Sequence, residues 1–267
     1  MIFKYFLKAI VTNRNLWGWG VLFMAFWLVL GAFVFSTNMP AQKEIELTYT
    51  SSYYGIIALY SFASIAISVS YTVYYGSSSL AYSFRYTKLK PLGYFSSLLA
   101  AASVMAIVIS TIMLLATYSL FSYRFGINLQ PAQPLAALAL SALAGAFMMV
   151  LAMLLVLIVV NYAGVKNINF ISFVPLILSY IFGFGQLYAN LPVAAEYLSP
   201  FTAISSLLFT SYSNLEMPVH PLDPSSGYLD WRLLLLSLLA WIFIIAIADT
   251  QLLRRIKPRA IEEARQV

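Results

Sequence analysis

Long runs without an Asp, Glu, Lys or Arg dominate the chain: residues 15–42, 47–84, 91–123, 125–165, 167–195 and 233–248. All but the last exceed the roughly 18 residues that a helix needs to cross a bilayer core. The last extends over Trp231 to Leu253, because Arg232 can reach outward along the interface and Asp249 lies within about a turn of the opposite one. The pattern predicts six membrane-spanning helices at about 16–36, 53–76, 93–120, 134–161, 168–188 and 231–253. Apolar residues occupy every face of these runs, whereas a lipid-facing β-barrel is built from short alternating segments. The expected fold class is an all-α membrane protein, with residues 1–267 forming one transmembrane domain.

Ahead of the first span, Ile2, Phe3, Phe6, Leu7, Ile10 and Val11 fall on one helical arc, and Lys4, Lys8 and Thr12 on the other. Residues 2–13 therefore suit an amphipathic helix lying in the interface; a frayed basic tail is the plainer alternative. A secretory signal also places basic residues before an apolar stretch. Here the stretch is too long, carries Trp17, Trp19 and Trp27, and lacks a small-residue cleavage site, so it reads as a retained first span.

Charge placement orients the helices. With both termini inside, twelve basic residues are cytoplasmic: Lys4, Lys8, Arg14, Arg85, Lys88, Lys90, Lys166, Arg254, Arg255, Lys257, Arg259 and Arg265. Only Lys43, Arg124 and Arg232 fall outside, together with most of the acids. The protein is thus expected to be a multi-pass protein of the cell membrane. The net charge of +6 is first a topology signal, not a nucleic-acid footprint.

Composition narrows the chemistry. The chain is 62% hydrophobic and 9% charged, against about half and about a quarter in soluble domains. Little remains outside the spans for a catalytic domain of ordinary size. The absence of Cys excludes disulfides, thiolate metal sites and a cysteine nucleophile. His220, the one histidine, reads as a solvated loop residue. None of the 12 glycines precedes Lys, so there is no phosphate loop of the G-x-x-x-x-G-K-[ST] type, and no G-x-G-x-x-G is present. No catalytic residue, metal or cofactor is expected in this chain.

Two polar stripes stand out within the spans. Tyr60, Ser64, Ser68, Tyr71 and Tyr75 lie along one face of span two, and Ser172, Pro175, Ser179, Gly183 and Gln186 along one face of span five. Facing each other across a dimer cleft, they would line a path for an amphiphilic or aromatic cargo; ordinary helix packing explains Ser, Gly and Tyr equally well. Pro175 also suggests a kink. Ala137, Ser141 and Gly145 form a ridge that reads as packing, and Met148, Met149 and Met153 read as filler. No ionisable group other than tyrosine lies near the middle of a span, which disfavours an ion-coupled pump. Asp249 reads as an interfacial partner of the basic tail 254–267, itself a membrane-surface anchor.

The connections are unequal. Residues 37–52 and 122–133 read as modest outer loops and 162–167 as a tight inner turn. The inner segment Gly76 to Gly93 is long enough for a short helix and carries Arg85, Lys88 and Lys90 before Pro91. The outer segment 189–230 has an apolar first half, expected to form a re-entrant or interfacial hairpin around Glu196 to Tyr212, and a Pro- and Ser-rich second half.

This arrangement resembles the permease subunits of type-2 ABC exporters, the group that includes drug, polysaccharide and lipid exporters. The stretch Arg85-Tyr86-Thr87-Lys88-Leu89-Lys90-Pro91-Leu92-Gly93-Tyr94-Phe95 is similar to the family's coupling segment, and Tyr197-Leu198-Ser199-Pro200-Phe201-Thr202 to its Leu-Asn-Pro-Leu-Thr motif after span five. The Glu and Gly-Thr pair usual at the start of the coupling segment is missing, with Ser83 and Phe84 near that place. The resemblance implies a short coupling helix between spans two and three, and a separate pair of ATPase subunits that hold the ATP and Mg. It also implies a second permease, identical or related. Phe84, Arg85, Tyr86, Lys88, Lys90 and Pro91 would then meet the ATPase, and Ser199, Pro200, Phe201 and Thr202 would belong to an outer cap. A motor-free membrane scaffold shares the hydropathy but needs no coupling segment; a secondary transporter is a further alternative.

Overall fold

The computed structural model describes residues 2–163, 168–188, 192–220 and 223–256, without the side chains of 184, 186–188, 220 and 223–226. The expected turn at Gly164 to Lys166, the Gln186 and His220 side chains, and most of the basic tail lie outside the described residues.

The chain is mainly helical. In order come α1 (Ile2–Val11), α2 (Arg14–Trp17), α3 (Phe23–Leu30), α4 (Lys43–Tyr86), α5 (Pro91–Phe125), α6 (Pro134–Ile158), α7 (Asn169–Tyr188), α8 (Val193–Leu198), α9 (Pro200–Ser213) and α10 (Trp231–Arg254). The π-helical stretch Gly18–Leu22 joins α2 to α3, and a second, Gly31–Phe35, extends α3, so that the three make one continuous rod. A third, Val159–Ala163, extends α6. Five helices, Arg14–Phe35, Lys43–Tyr86, Pro91–Phe125, Pro134–Ala163 and Trp231–Arg254, are long and apolar enough to cross a membrane. The helix at the fifth expected span, α7, has a shorter apolar run, Asn169–Gly183.

Helix α4 is the axis of the bundle. Its 44 residues extend about 66 Å at 1.5 Å per residue, twice the roughly 30 Å of a bilayer core. It absorbs two segments that the sequence pattern assigns elsewhere: the end of the outer loop 37–52 and the separate coupling helix. The expected break near Gly76 is absent. One glycine costs a helix only about 1 kcal/mol, and no further breaker follows until the Thr87 to Lys90 link, where Pro91 starts α5 at its first turn. Thr87 shapes that link: its hydroxyl donates to the Ser83 carbonyl at 2.6 Å and accepts from the Leu89 N–H at 3.1 Å.

The other helix ends follow local chemistry. Gly126, at φ 69°, ends α5, and Asn214, at φ 59°, ends α9. The Asp230 carboxylate accepts from the Arg232 N–H and starts α10.

Close approach depends on small residues. A Cβ on Gly145 would lie 2.5 Å from the Ala106 methyl and 2.8 Å from the Ala102 carbonyl, so α5 and α6 meet backbone to backbone. Nearby, the Ser141 hydroxyl donates to that of Ser110 at 2.7 Å, and Ser110 also pairs with the Tyr54 hydroxyl. The Ala137, Ser141 and Gly145 ridge is therefore a packing surface, and Met148, Met149 and Met153 are fully buried core residues. The amphipathic N-terminal helix is present as α1, with Phe6 and Ile10 buried. Phe6 packs edge-on against Tyr94 at 4.9 Å.

Helices α8 and α9 form a hairpin. Ser199, in an extended conformation, separates them, and its hydroxyl accepts from the Thr202 N–H while Pro200 opens α9. All but two of the 14 residues of α9 are buried. Its first turn reaches deep: Phe201 stacks on Phe182 at 5.6 Å and meets Phe147 edge-on at 5.4 Å. Phe147 lies about 20 Å along α6 from Pro134. Its last turn is held near the start of α6, where Ser211 and Tyr212 carbonyls accept from Gln133 and Ala132, and the Tyr212 hydroxyl donates to the Leu129 carbonyl. After α9 comes a short antiparallel ribbon, β1 (Pro218–His220) and β2 (Asp223–Tyr228), where the sequence suggests only an irregular loop.

Candidate functional site

The first span and α4 diverge to leave a groove of about 790 Å³. Trp27 and Phe35 form one wall. The opposite wall is the outer half of α4, where Glu44, Thr48, Ser52, Ile56 and Tyr60 recur at helical spacing beside Tyr49, Tyr53 and Ile57. Tyr180 of α7 closes the far end, its ring stacked on Tyr60 with centroids 4.1 Å apart. From Glu44 to Tyr60 the groove runs about 24 Å along α4. Glu44 is the one formally charged side chain among the described lining residues, and it stands at the mouth.

The two stripes expected to line a path meet within one chain. Gly183 sits where a Cβ would lie 3.0 Å from the Tyr60 hydroxyl, and the Tyr71 hydroxyl donates to Asn169 Oδ1 at 2.8 Å. Ser64 is fully buried, donates to the Ser61 carbonyl and is packed tightly on Gly20 of the first span. Ser68 is also fully buried, and its hydroxyl has no hydrogen-bond partner among the described residues. Ser172 and Ser179 are buried and bond the carbonyls of Asn169 and Pro175. Tyr75, by contrast, is 52% exposed and stacks beside Tyr71. In this conformation the serines of both stripes are buried in helix packing, and among the described stripe residues only Tyr60 lines the groove. Glu44, Ile45, Thr48, Tyr49 and Ser52 escaped sequence reasoning because α4 begins ten residues before the expected span. The Glu44, Thr48 and Ser52 spacing was the available signal.

At the other end of α4, Arg85, Tyr86, Lys88 and Lys90 are exposed. Phe84 is half-buried and meets Tyr94 edge-on, with ring centroids 5.9 Å apart, at the corner between α4 and α5. Pro91 is half-buried at the start of α5. Lys88 and Lys90, with Ile2, border a shallow cavity of about 580 Å³.

The hairpin carries an unusual group. Glu196 of α8 is fully buried, and neither carboxylate oxygen has a hydrogen-bond partner among the described residues. Burial pushes its carboxyl up to about 7. The Thr202 hydroxyl opposes that rise, although its contact falls short of hydrogen-bond geometry. Around Glu196, the Trp241 indole N–H donates to the Leu198 carbonyl at 2.8 Å, and the Tyr197 hydroxyl accepts from the Asp230 N–H at 2.9 Å. Ser199, Phe201 and Thr202 are buried, and Pro200 is half-buried. Asp249 of α10 is fully buried without a hydrogen-bond partner among the described residues. It faces the bundle on the same stripe as Leu238, Ile245 and Leu253, and most of the basic tail expected to meet it lies outside the described residues.

Among the described residues no group of three or more His, Asp or Glu side chains is placed to hold a metal ion. No protein-family model matches the chain, and no curated protein sequence matches it significantly.

Proposed function

We propose that the chain is the membrane-embedded permease subunit of an ATP-driven, type-2 ABC exporter that moves amphiphilic or hydrophobic compounds outward across the cell membrane. The observation that carries this reading is the α8–α9 hairpin. It enters the bundle and returns to the same end, is apolar enough for α9 to be buried on nearly every face, and holds Phe201 well inside the helices. In a six-span arrangement with cytoplasmic termini, this hairpin is re-entrant from the outer side and caps the path.

ATP and Mg belong to a separate pair of ATPase subunits, and two permeases, identical or related, complete the assembly. Arg85, Tyr86, Lys88 and Lys90 form the docking surface on the cytoplasmic side, and Pro91 sets the angle at which the link meets α5. Because α4 is one unbroken helix from Lys43 to Tyr86, displacement of its docked end moves the groove wall at Glu44 to Tyr60. A stiff helix is thus the mechanical link between ATP-driven closure and the cargo groove. In the resting conformation, the α4–α7 contact at Tyr60, Tyr180 and Gly183 closes the groove from the cytoplasmic side.

The test is co-purification with a separate phosphate-loop ATPase subunit, sought first in the neighbouring genes. The wild-type pair is expected to associate and to hydrolyse ATP faster when an amphiphile is added. Charge reversal at Arg85 and Lys88 is expected to abolish both. Unchanged association and stimulation in the R85E/K88E variant would remove this docking surface from the proposal.

A further inference from the structure

We propose that the groove between the first span and α4 is selective for amphiphiles with a cationic head, a quaternary or protonated amine. Calling this occupant cargo rests on the exporter reading; the binding itself does not. The groove is apolar over most of its length, with Ile56, Ile57 and the stacked Tyr60–Tyr180 pair at its closed end. Such a wall takes an alkyl or aryl body by the ordinary hydrophobic gain. At the open end the chemistry changes. Glu44 supplies the formal negative charge, no Lys, Arg or His is among the described lining residues, and Thr48 and Ser52 continue a polar edge below it.

The rings sharpen the preference. Trp27, Tyr49 and Tyr53 surround the upper groove. Tyr49 and Tyr53 lie 5.3 Å apart, and Trp27 stacks with Phe35 at 6.4 Å. Aromatic faces carry a negative quadrupole, and cages of this kind hold quaternary ammonium groups. A carboxylate at one end of the groove and aromatic faces further along it both favour a cation, and the carboxylate repels an anionic head. Glu44 and Glu46 both sit in the first turn of α4, where acids favour a helix start. Only Glu44 lines the groove; Glu46 is turned into the bundle and buried. Helix capping alone thus does not account for an acid at position 44 facing this space.

The experiment uses the full chain in nanodiscs and reads tryptophan quenching by three bromoalkyl amphiphiles of equal chain length. One carries a trimethylammonium head, one a maltoside and one a sulfate. Each probe is compared between wild type and E44Q in the same lipid, so that partitioning into the bilayer cancels. For the trimethylammonium probe the midpoint is expected to rise about tenfold in E44Q, equivalent to about 1.4 kcal/mol, and for the maltoside less than about twofold. The sulfate probe is expected to bind more tightly to E44Q than to wild type. In W27F, most of the saturable quenching by the cationic probe is expected to vanish. Equal shifts for the cationic and neutral probes overturn the selectivity, and full quenching retained in W27F overturns the location. Neither result touches the exporter reading, which stands or falls with the ATPase.

Discussion

Replacing Glu196 by Gln should stabilise the protein at alkaline pH and leave it nearly unchanged at acidic pH. The carboxyl is fully buried in α8 without a hydrogen-bond partner among the described residues, and burial raises it from 4.5 to about 7. Below pH 4.5 the group is protonated in both the folded and the unfolded chain, so it costs nothing. Between pH 4.5 and 7 the unfolded chain releases its proton while the folded one retains it, and stability falls. Above pH 7 the loss is complete, and at about 1.4 kcal/mol for each pH unit it amounts to about 3 kcal/mol. Glutamine has nearly the same shape and no charge, so it removes this dependence. Thermal unfolding in nanodiscs at pH 4.5 and pH 8 measures the effect: the wild type should lose about 3 kcal/mol more than E196Q between the two. Parallel pH profiles for the two proteins would mean that Glu196 is ionised in the folded chain and has a counter-charge or water, and the reasoning from burial would be refuted.

Further expectations follow from close contacts and from topology. Gly55→Ala places a Cβ 2.6 Å from the Ser205 carbonyl, so α9 must shift away from α4. A stability loss of about 1–3 kcal/mol is expected, with the same sign for Gly145→Leu at the α5–α6 contact; unchanged unfolding midpoints would contradict the packing described. Trp241→Phe deletes the indole donor to the Leu198 carbonyl, worth about 1 kcal/mol, and should speed hydrogen exchange across Val193–Leu198 more than elsewhere. Because the chain has no native cysteine, single substitutions report sidedness directly. Gln130→Cys should react with an impermeant maleimide on intact cells, and Lys88→Cys only after permeabilisation; the reverse pattern would invert the topology.

Much of the architecture was legible from residue order alone. The positions of the long apolar helices follow from runs without charge, and α1 follows from its arc of Phe6, Ile10 and neighbours. The α8–α9 hairpin follows from an apolar stretch interrupted at Ser199 and Pro200. Each of these depends on local composition: a backbone in lipid must satisfy its own hydrogen bonds, and Pro stops or starts a helix wherever it falls. Misreadings arose where local signals were silent. Nothing in Gly76 to Tyr86 required a continuous helix, and nothing in Lys43 to Ser52 distinguished an outer loop from the first turns of α4.

Only the tertiary structure decided what the polar stripes do and which residues make the groove. In a soluble helix, hydrophobic periodicity separates buried from exposed faces, because one of them meets water. Lipid tails are as apolar as Leu, so a spanning helix carries no such marking. Ser64, Ser68, Ser172 and Ser179 suit a helix interface and a cargo path equally well by sequence, and it is the approach of α4 to the first span and to α7 that places them in the interface. The same approach leaves the space that Trp27, Glu44 and Tyr53 line, and docking the hairpin beside α10 buries Glu196. Residue order determined which segments form long apolar helices and where the charges fall between them; packing determined which faces touch.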